Sequence, residues 1–208
     1  MSRGILVVLE GIDQCGKSSA SVSVCQKLNS EGIKSVTQPF PDRSTAVGKL
    51  IDDFLHGKNL PQQAVHLLYS ANRWEVAKII EKNINEGVTV VCDRYAFSGI
   101  VYSIANGLDP EWCKIPDSGL PKPDIVCFLE LSLDEADRRR KSLVADRYEN
   151  VEFQKKVKSE FEKMKNELLW TSVDANQNRK KVVEDICNII KKNIKEMQSN
   201  PIGKLTFK

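Results

Sequence analysis

The segment GIDQCGKSSA, residues 11–20, has the residue types and spacing of a loop that binds phosphate groups. It matches G-x-x-x-x-G-K-[ST] at Gly11, Gly16, Lys17 and Ser18, directly after the apolar run ILVVLE. Two glycines let the backbone turn so that successive N–H groups point at a phosphate at the start of the next helix. Lysine there can bridge the β- and γ-phosphates, and serine can bind Mg²⁺. The strand before the loop favours this interpretation over a Gly-rich turn that binds nothing.

Three arginines are candidates for binding a second anion. An enzyme that moves phosphate between two anions must hold both negative groups close together, and bidentate arginines do this well. Arg43 and Arg94 follow predicted strands, and Arg73 lies in a long predicted helix. Each alone could be a solvated surface charge or part of a local ion pair. Their joint placement favours an anion site.

These residues need a parallel sheet to bring them together. Short β-rich runs alternate with helical patterns, which predicts an α/β fold with a five-stranded parallel sheet covered by helices on both faces. The predicted strands are residues 5–10, 34–38, 88–93, 124–131 and 170–174. The predicted helices are residues 18–29, 62–85, a basic helix that follows an N-cap at Ser132, 151–169 and 178–197. Ligands bind such sheets outside the carboxyl ends of the strands, where the loop and two of the arginines lie.

Length and charge restrict the function further. A length of 208 residues predicts a single domain, residues 1–208. A net charge of +3, from 31 basic and 28 acidic residues, gives no strong field that would favour nucleic acid or a membrane surface as a partner. We therefore expect small-molecule substrates.

The cysteines and the first residues indicate a reducing environment. Six scattered cysteines show neither C-x-x-C pairs nor spacing suited to zinc, which predicts free thiols. The start MSRGILVVLEG enters its first strand at once and shows no signal peptide, and no run of 18 apolar residues follows. We expect an intracellular, cytoplasmic protein, with no feature that separates cytosol from nucleus.

A set of motifs across the chain resembles one family closely. After the phosphate loop the chain carries, in order, FPDRST (40–45), LLYSANRWE (67–75), DRYAFSG (93–99), GLPKPD (119–124), RYEN (147–150) and PIGKL (201–205). This series resembles the thymidylate kinases of eukaryotes and poxviruses, which belong to the P-loop nucleoside monophosphate kinases. The resemblance implies Mg²⁺ with ATP as donor, dTMP as acceptor, a role in dTTP biosynthesis, a homodimer, and a short lid at about residues 138–150.

The resemblance also implies a donor site. Residues expected to bind ATP are Gly11, Ile12, Asp13, Gln14, Cys15, Gly16, Lys17, Ser18, Ser19, Arg140, Ala175 and Asn176. Among them Arg140 would lie over the adenine, and Ala175 and Asn176 would edge it. Mg²⁺ would be bound by Ser18 and, through water, by Asp93.

The implied acceptor site takes its residues from five segments. Residues expected to bind dTMP are Asp13, Phe40, Arg43, Tyr69, Arg73, Arg94, Ser98, Gly99, Tyr148 and Gln154. Phe40 and Tyr69 would sandwich the thymine, with Tyr69 where phenylalanine is more usual, and Arg73 would bind the carbonyl edge. Asp13 would reach the 3′-hydroxyl, Arg43 and Arg94 would bind the phosphate, and Ser98 and Gly99 would line the base pocket. Tyr148 and Gln154 would close over the nucleoside, and Tyr148 would leave little space for a ribose 2′-hydroxyl.

Gln14 departs from the family pattern, because the residue after the loop's aspartate is usually basic there. Bacterial relatives without a basic loop residue place it in the lid. The lid segment RRRKSLVADRYEN offers Arg140, Lys141 and Arg147. Residues expected to act in catalysis are thus Asp13, Lys17, Arg43, Arg94, Arg140, Lys141 and Arg147.

Three alternatives remain open from the sequence. The chain could phosphorylate another (deoxy)nucleoside monophosphate such as dUMP, or a deoxynucleoside. It could be a non-catalytic descendant, although Lys17, Ser18, Asp93 and Arg94 are all present. A P-loop GTPase switch is disfavoured, because the chain has no N-K-x-D segment and a switch has no use for paired arginines.

Overall fold

A computed structural model of the chain describes residues 2–140, 151–168 and 170–207. Five strands form its parallel sheet: β1 (Leu6–Glu10), β2 (Ser35–Pro39), β3 (Thr89–Asp93), β4 (Ile125–Glu130) and β5 (Thr171–Asp174). Their order across the sheet is β2-β3-β1-β4-β5. All five predicted strands are confirmed, each to within one residue at either end.

Strand burial follows position in the sheet. Every residue of β1 and β3 is buried, as expected for parallel strands covered on both faces. The edge strands β2 and β5 each bury only one residue. The carboxyl ends of β1, β2 and β3 lie side by side, since Leu9 and Pro39 both pair with Asp93. This register gathers the loops that follow these strands at one edge of the sheet.

The helices in the described part of the chain are α1 (Lys17–Ser30), α2 (Ala46–Leu55), α3 (Gln62–Asn85), α4 (Ala96–Ala105), α5 (Pro110–Lys114), α6 (Leu133–Arg140), α7 (Val151–Leu168) and α8 (Arg179–Ser199). A turn of 3₁₀ helix at Ile115–Asp117 follows α5. The five predicted helices correspond to α1, α3, α6, α7 and α8. The sequence pattern did not predict α2, α4 or α5. No helix among the described residues is long and apolar enough to cross a membrane.

Two long-range contacts fasten the ends of the chain. Arg3 forms a bidentate ion pair with Asp124, at 2.9 and 2.6 Å, just before β4. The C-terminal segment runs antiparallel to residues 119–122, where Leu205 donates to the carbonyl of Leu120 at 2.7 Å and accepts from Gly119 N–H at 2.9 Å. All six cysteines are free and buried. These contacts lie outside the loops at the carboxyl edge of the sheet.

Candidate active site

A cleft of about 930 Å³ opens at the carboxyl edge of the sheet. Its donor side, as we name it, is lined by the phosphate loop, α1, Ala175 after β5, and Arg179 at the start of α8. Its acceptor side is lined by Phe40, Tyr69, Arg73 and residues of α4. The volume lies near the upper end for small-molecule sites, so one continuous cleft has room for two nucleotides.

The phosphate loop holds its lysine inside. Lys17 is buried, and its ammonium donates to the carbonyls of Gly11 at 3.1 Å and Ile12 at 2.8 Å and contacts Cys15 Sγ at 3.3 Å. Gly16 has φ +90°, a left-handed conformation that a side chain would strain. At Gly11 a Cβ atom would fall 2.7 Å from the carbonyl oxygen of Leu129. Both glycines therefore permit the tight turn before α1.

Arg94 connects three parts of the cleft. It follows β3 with φ +66°, and its Nη1 donates to the carbonyl of Gly11 at 3.2 Å and to Ser98 Oγ at 3.0 Å. Its Nη2 forms an ion pair with the Asp13 carboxylate. Gln154 Nε2 donates to the other oxygen of that carboxylate at 2.7 Å. Asp13, Arg94, Ser98 and Gln154, all predicted acceptor-site residues, thus form one network.

Glu10 supports this network from the core. Fully buried at the end of β1, its Oε1 accepts from the backbone N–H groups of Tyr95 at 3.0 Å and Ser98 at 3.1 Å. Ser98 Oγ donates to the other carboxylate oxygen. Burial raises the pKa of the Glu10 carboxyl above its usual range, and the Ser98 hydrogen bond opposes that shift. Glu10 thus caps the start of α4 and holds Ser98 against Arg94.

Two residues of the cleft offer oxygen ligands to a cation. Asp93 ends β3, and its Oδ1 is buried without a hydrogen-bond partner among the described residues. Ser18, the second residue of α1, is exposed and lines the same cleft. Carboxylate and hydroxyl oxygens are hard ligands of the kind that Mg²⁺ binds, usually with several retained waters. A buried carboxylate oxygen without a partner fits a site completed by a hydrated cation.

The acceptor side is built around one buried arginine. Arg73 is only 2% exposed and pairs through Nε and Nη2 with both oxygens of Asp117, at 2.9 and 2.7 Å. A Cβ atom at Gly99 would fall 2.8 Å from Arg73 Nη2, so a larger residue there would displace the guanidinium from this position. Phe40 is buried and packs against Tyr95 with ring centroids 5.6 Å apart. Tyr69 lines the cleft on the same helix as Arg73.

Arg43 also lines the cleft but stands in a different environment. Its guanidinium pairs with Asp52 of α2 at 2.9 Å, and half of its side chain is exposed. A partly exposed arginine keeps most of its hydration, so exchanging this pair for a ligand phosphate costs little.

On the donor side the structure differs in detail from the prediction. Arg139, not Arg140, lines the main cleft, with Nη1 donating to the carbonyl of Gln14 at 3.2 Å and Nη2 to that of Ala175 at 2.9 Å. Arg140 pairs with Asp137 and lines a smaller adjoining cavity. Asn176 turns its side chain to Asp174 and to the N–H of Ser132, and it is not among the cleft residues.

Some site residues lie beyond this description, and others escaped the sequence. Lys141, Arg147 and Tyr148 lie outside the described residues. Sequence reasoning missed Glu10, Tyr102, Asp117 and Arg139. Tyr102 lies with its ring 5.3 Å from the guanidinium of Arg94, and it also lines the cleft. The only signal for Glu10 was its place directly before the phosphate loop.

The fold and the cleft define a P-loop nucleoside monophosphate kinase, a phosphotransferase. The family model of thymidylate kinase matches residues 9–186. Thymidylate kinase of Schizosaccharomyces pombe is 44% identical over 195 residues, 91% of this chain and 92% of that protein. The human thymidylate kinase is 41% identical over 207 residues, covering 98% and 97%. A solved thymidylate kinase structure from Candida albicans superposes with a TM-score of 0.87 at 35% identity, covering 99% of this chain and all of that one. The chain belongs to the thymidylate kinase family.

Proposed function

We propose that the protein transfers the γ-phosphate of ATP to dTMP, giving dTDP and ADP, as a step in dTTP biosynthesis. One observation carries the proposal: a single cleft contains both a phosphate loop and a pocket around a buried arginine, joined by the pair of Arg94 and Asp13. A kinase for a second nucleotide needs two anions brought together in this way. We also propose that residues 1–208 act as one domain with a lid at about 138–150.

ATP would occupy the donor side. The backbone from Gly11 to Ser19 would surround its phosphates, and Lys17 would exchange its carbonyl contacts for β- and γ-phosphate oxygens. The adenine would lie between α1 and the loop at Ala175, close to Arg139, with Arg140 and Asn176 contributing when the lid closes. Ser18 would bind Mg²⁺ directly and Asp93 through water; when bound, the ion stabilises charge on the transferring group.

On the acceptor side, dTMP would lie with its base between Phe40 and Tyr69. Arg94 and Arg43 would bind its phosphate, because both guanidinium groups reach the cleft. Asp13, held between Arg94 and Gln154, would accept from the 3′-hydroxyl. Ser98 would act chiefly by linking Glu10 to Arg94, and Gly99 by leaving room for Arg73. Tyr148 would close over the sugar.

Asp93→Asn is expected to lower the apparent affinity of the donor complex for Mg²⁺ by about 10- to 100-fold, as for other residues that act on a metal through water. The amide keeps the size but loses the charge, so the fold is expected to persist. Binding of Mn²⁺ in the presence of ATP, followed by electron paramagnetic resonance, measures this without turnover. Unchanged Mn²⁺ binding would remove Asp93 from the metal site.

Arg73→Ala is expected to raise KM for dTMP by about 10- to 100-fold and to leave KM for ATP within about twofold, since a charged hydrogen bond to the base is lost. The wild type is expected to prefer dTMP over dCMP strongly, because cytosine presents an amino group where thymine presents a carbonyl. A coupled assay of ADP release over dTMP, dUMP, dCMP, dGMP and thymidine checks both. Equal effects on the two KM values, or comparable kcat/KM for dTMP and dCMP, would contradict this base assignment.

The same panel separates the alternatives. Turnover of a different monophosphate in preference to dTMP would replace dTMP as the proposed acceptor and leave the assignment as a kinase in place. If no acceptor is turned over, the result would favour a non-catalytic descendant. The Candida albicans relative is described for its broad substrate specificity. Turnover of several of these acceptors would show that this chain also has a broad specificity.

We propose further that the protein forms a homodimer through α2 and α3, which pack against each other. Leu67 and Trp74, one heptad apart on α3, are 47% and 43% exposed, and Leu50 of α2 is 45% exposed. Such apolar side chains in water favour burial against a second copy. Light scattering after gel filtration is expected to give twice the chain mass; a monomer at micromolar concentration would refute the dimer.

A further inference from the structure

Asp117 forms an ion pair with Arg73, the arginine proposed to bind the base of the acceptor. Within the described hydrogen-bond network, Asp117 has no other charged partner. Its carboxylate is fully buried, and it lies 44 positions from Arg73 in sequence, in the 3₁₀ turn after α5. The pair is bidentate, with one bond from Nε and one from Nη2. A fork of this kind fixes the plane of the guanidinium as well as its charge.

The geometry leaves a defined set of donors for a ligand. A guanidinium has five N–H donors, and Asp117 takes two of them, on Nε and Nη2. The three that remain are on Nη1 and Nη2, the two nitrogens that lie next to Gly99. Because Arg73 lines the cleft while Asp117 is buried behind it, these donors face the cleft. They can bind only an acceptor atom, such as a carbonyl oxygen of the base.

The position of Asp117 is itself fixed by several contacts. Ser70 Oγ, one turn before Arg73 on α3, lies 2.8 Å from Asp117 Oδ1 and 3.0 Å from the carbonyl of Pro116. Trp74 Nε1 donates to the same carbonyl at 2.8 Å. Residues Gly119 and Leu120, just beyond the turn, pair with Leu205 of the C-terminal segment. The turn is therefore attached to α3 on one side and to the chain end on the other.

We propose that Asp117 is a positioning residue for acceptor-base recognition: it sets the orientation of Arg73 and thereby the preference for a base with a carbonyl at the contacting edge. This inference rests on the proposed function. The competing explanation is that Asp117 only neutralises a buried charge, in which case its loss lowers stability without changing base choice.

Asp117→Asn tests the two against each other. Positioning predicts that KM for dTMP rises about 10-fold or more, that the dTMP to dCMP ratio of kcat/KM falls by a similar factor, and that KM for ATP stays within about twofold. In an Arg73→Ala background the same change is expected to add less than about twofold, because the residue it acts through is gone. Asp117→Glu, which keeps the charge, is expected to recover part of the selectivity.

Asp124→Asn is the matched control. Asp124 also forms a bidentate pair with an arginine, Arg3, and is largely buried, but it does not line the cleft. The Asp124→Asn substitution is expected to lower Tm and to leave the dTMP to dCMP ratio of kcat/KM unchanged. The positioning role is rejected if Asp117→Asn, like Asp124→Asn, lowers Tm without changing the dTMP to dCMP ratio of kcat/KM. It is also rejected if the effect of Asp117→Asn on that ratio is as large in the Arg73→Ala background as in the wild type.

Two further outcomes are decisive. If Asp117→Asn does not fold, Ser70→Ala is the milder variant, and a folded Ser70→Ala enzyme with unchanged KM for dTMP and unchanged selectivity rejects the proposal. If the wild type does not turn over dTMP, the proposed function fails and the role of Asp117 fails with it. Turnover of dTMP by the wild type together with unaltered selectivity in Asp117→Asn rejects Asp117 alone.

Discussion

Lys17→Ala is expected to reduce kcat by a factor of about 10² to 10³ while the protein remains folded, because one preorganised donor to the developing charge is lost. The ammonium contacts the loop's own carbonyls and Cys15, so we expect its removal to leave the core intact. Single-turnover transfer from ATP to dTMP measures the effect on chemistry.

Lys27→Ala is the control for this variant. Lys27 lies on the same helix, α1, in its last turn, away from the cleft. Its replacement is expected to leave kcat unchanged, and circular dichroism with thermal melting reports the fold of both variants. A folded Lys17→Ala enzyme with near-normal kcat would show that the phosphate loop is not the donor site.

The strands and the phosphate loop were predictable because their signals are local. Buried parallel strands form continuous apolar runs such as ILVVLE, and the loop's glycines and lysine lie within six residues of one another. The register of β1, β2 and β3 then brings Arg94 beside the loop without further information. Local sequence patterns were enough to predict those elements whose structure depends on contacts between residues close in sequence.

Helix α4 was missed because its cap is not local. Its N-cap residue, Tyr95, makes no side-chain cap, and the buried N–H groups of Tyr95 and Ser98 instead donate to Glu10, 85 and 88 residues earlier. The segment AFSGIVYSIA is rich in β-branched and aromatic residues, which by propensity favour a strand. Tertiary contact overrides the local preference here.

The details of the site were missed for related reasons. Adjacent helix residues point about 100° apart, so a run of three arginines does not show which one faces the cleft. In the structure α6 directs Arg139 there, toward Gln14 and Ala175. Asp117 could not be paired with Arg73 from sequence, because the two residues are 44 positions apart, with β3, α4 and α5 between them. These choices depend on how elements pack.

The residues of the phosphate loop do not show which cation, besides Lys17 and Mg²⁺, would stabilise the transferring phosphoryl group. Phosphoryl transfer usually needs a cation beyond the loop lysine and Mg²⁺, and an arginine in that role is worth about 10³ to 10⁵ in rate. Gln14 is neutral, has φ +63°, and its carbonyl is bound by Arg139. Arg140 is paired with Asp137, and stacking on adenine would also link it to ATP binding. Of the three lid residues that the sequence offered, Lys141 and Arg147 remain, and both lie outside the described residues.

Lys141→Met or Arg147→Met is therefore expected to lower kcat by about 10²-fold or more with little change in either KM, the pattern of an interaction made chiefly in the transition state. Gln14→Arg is expected to raise kcat in the lid variants more than in the wild type, because it returns a cation to the loop. Arg138→Met is the control, since Arg138 is 78% exposed, pairs with Glu135 and does not line the cleft. Steady-state kinetics of all four single variants and the two lid variants carrying Gln14→Arg measure this. Full kcat in both lid variants would show that neither Lys141 nor Arg147 supplies the catalytic charge that Gln14 lacks.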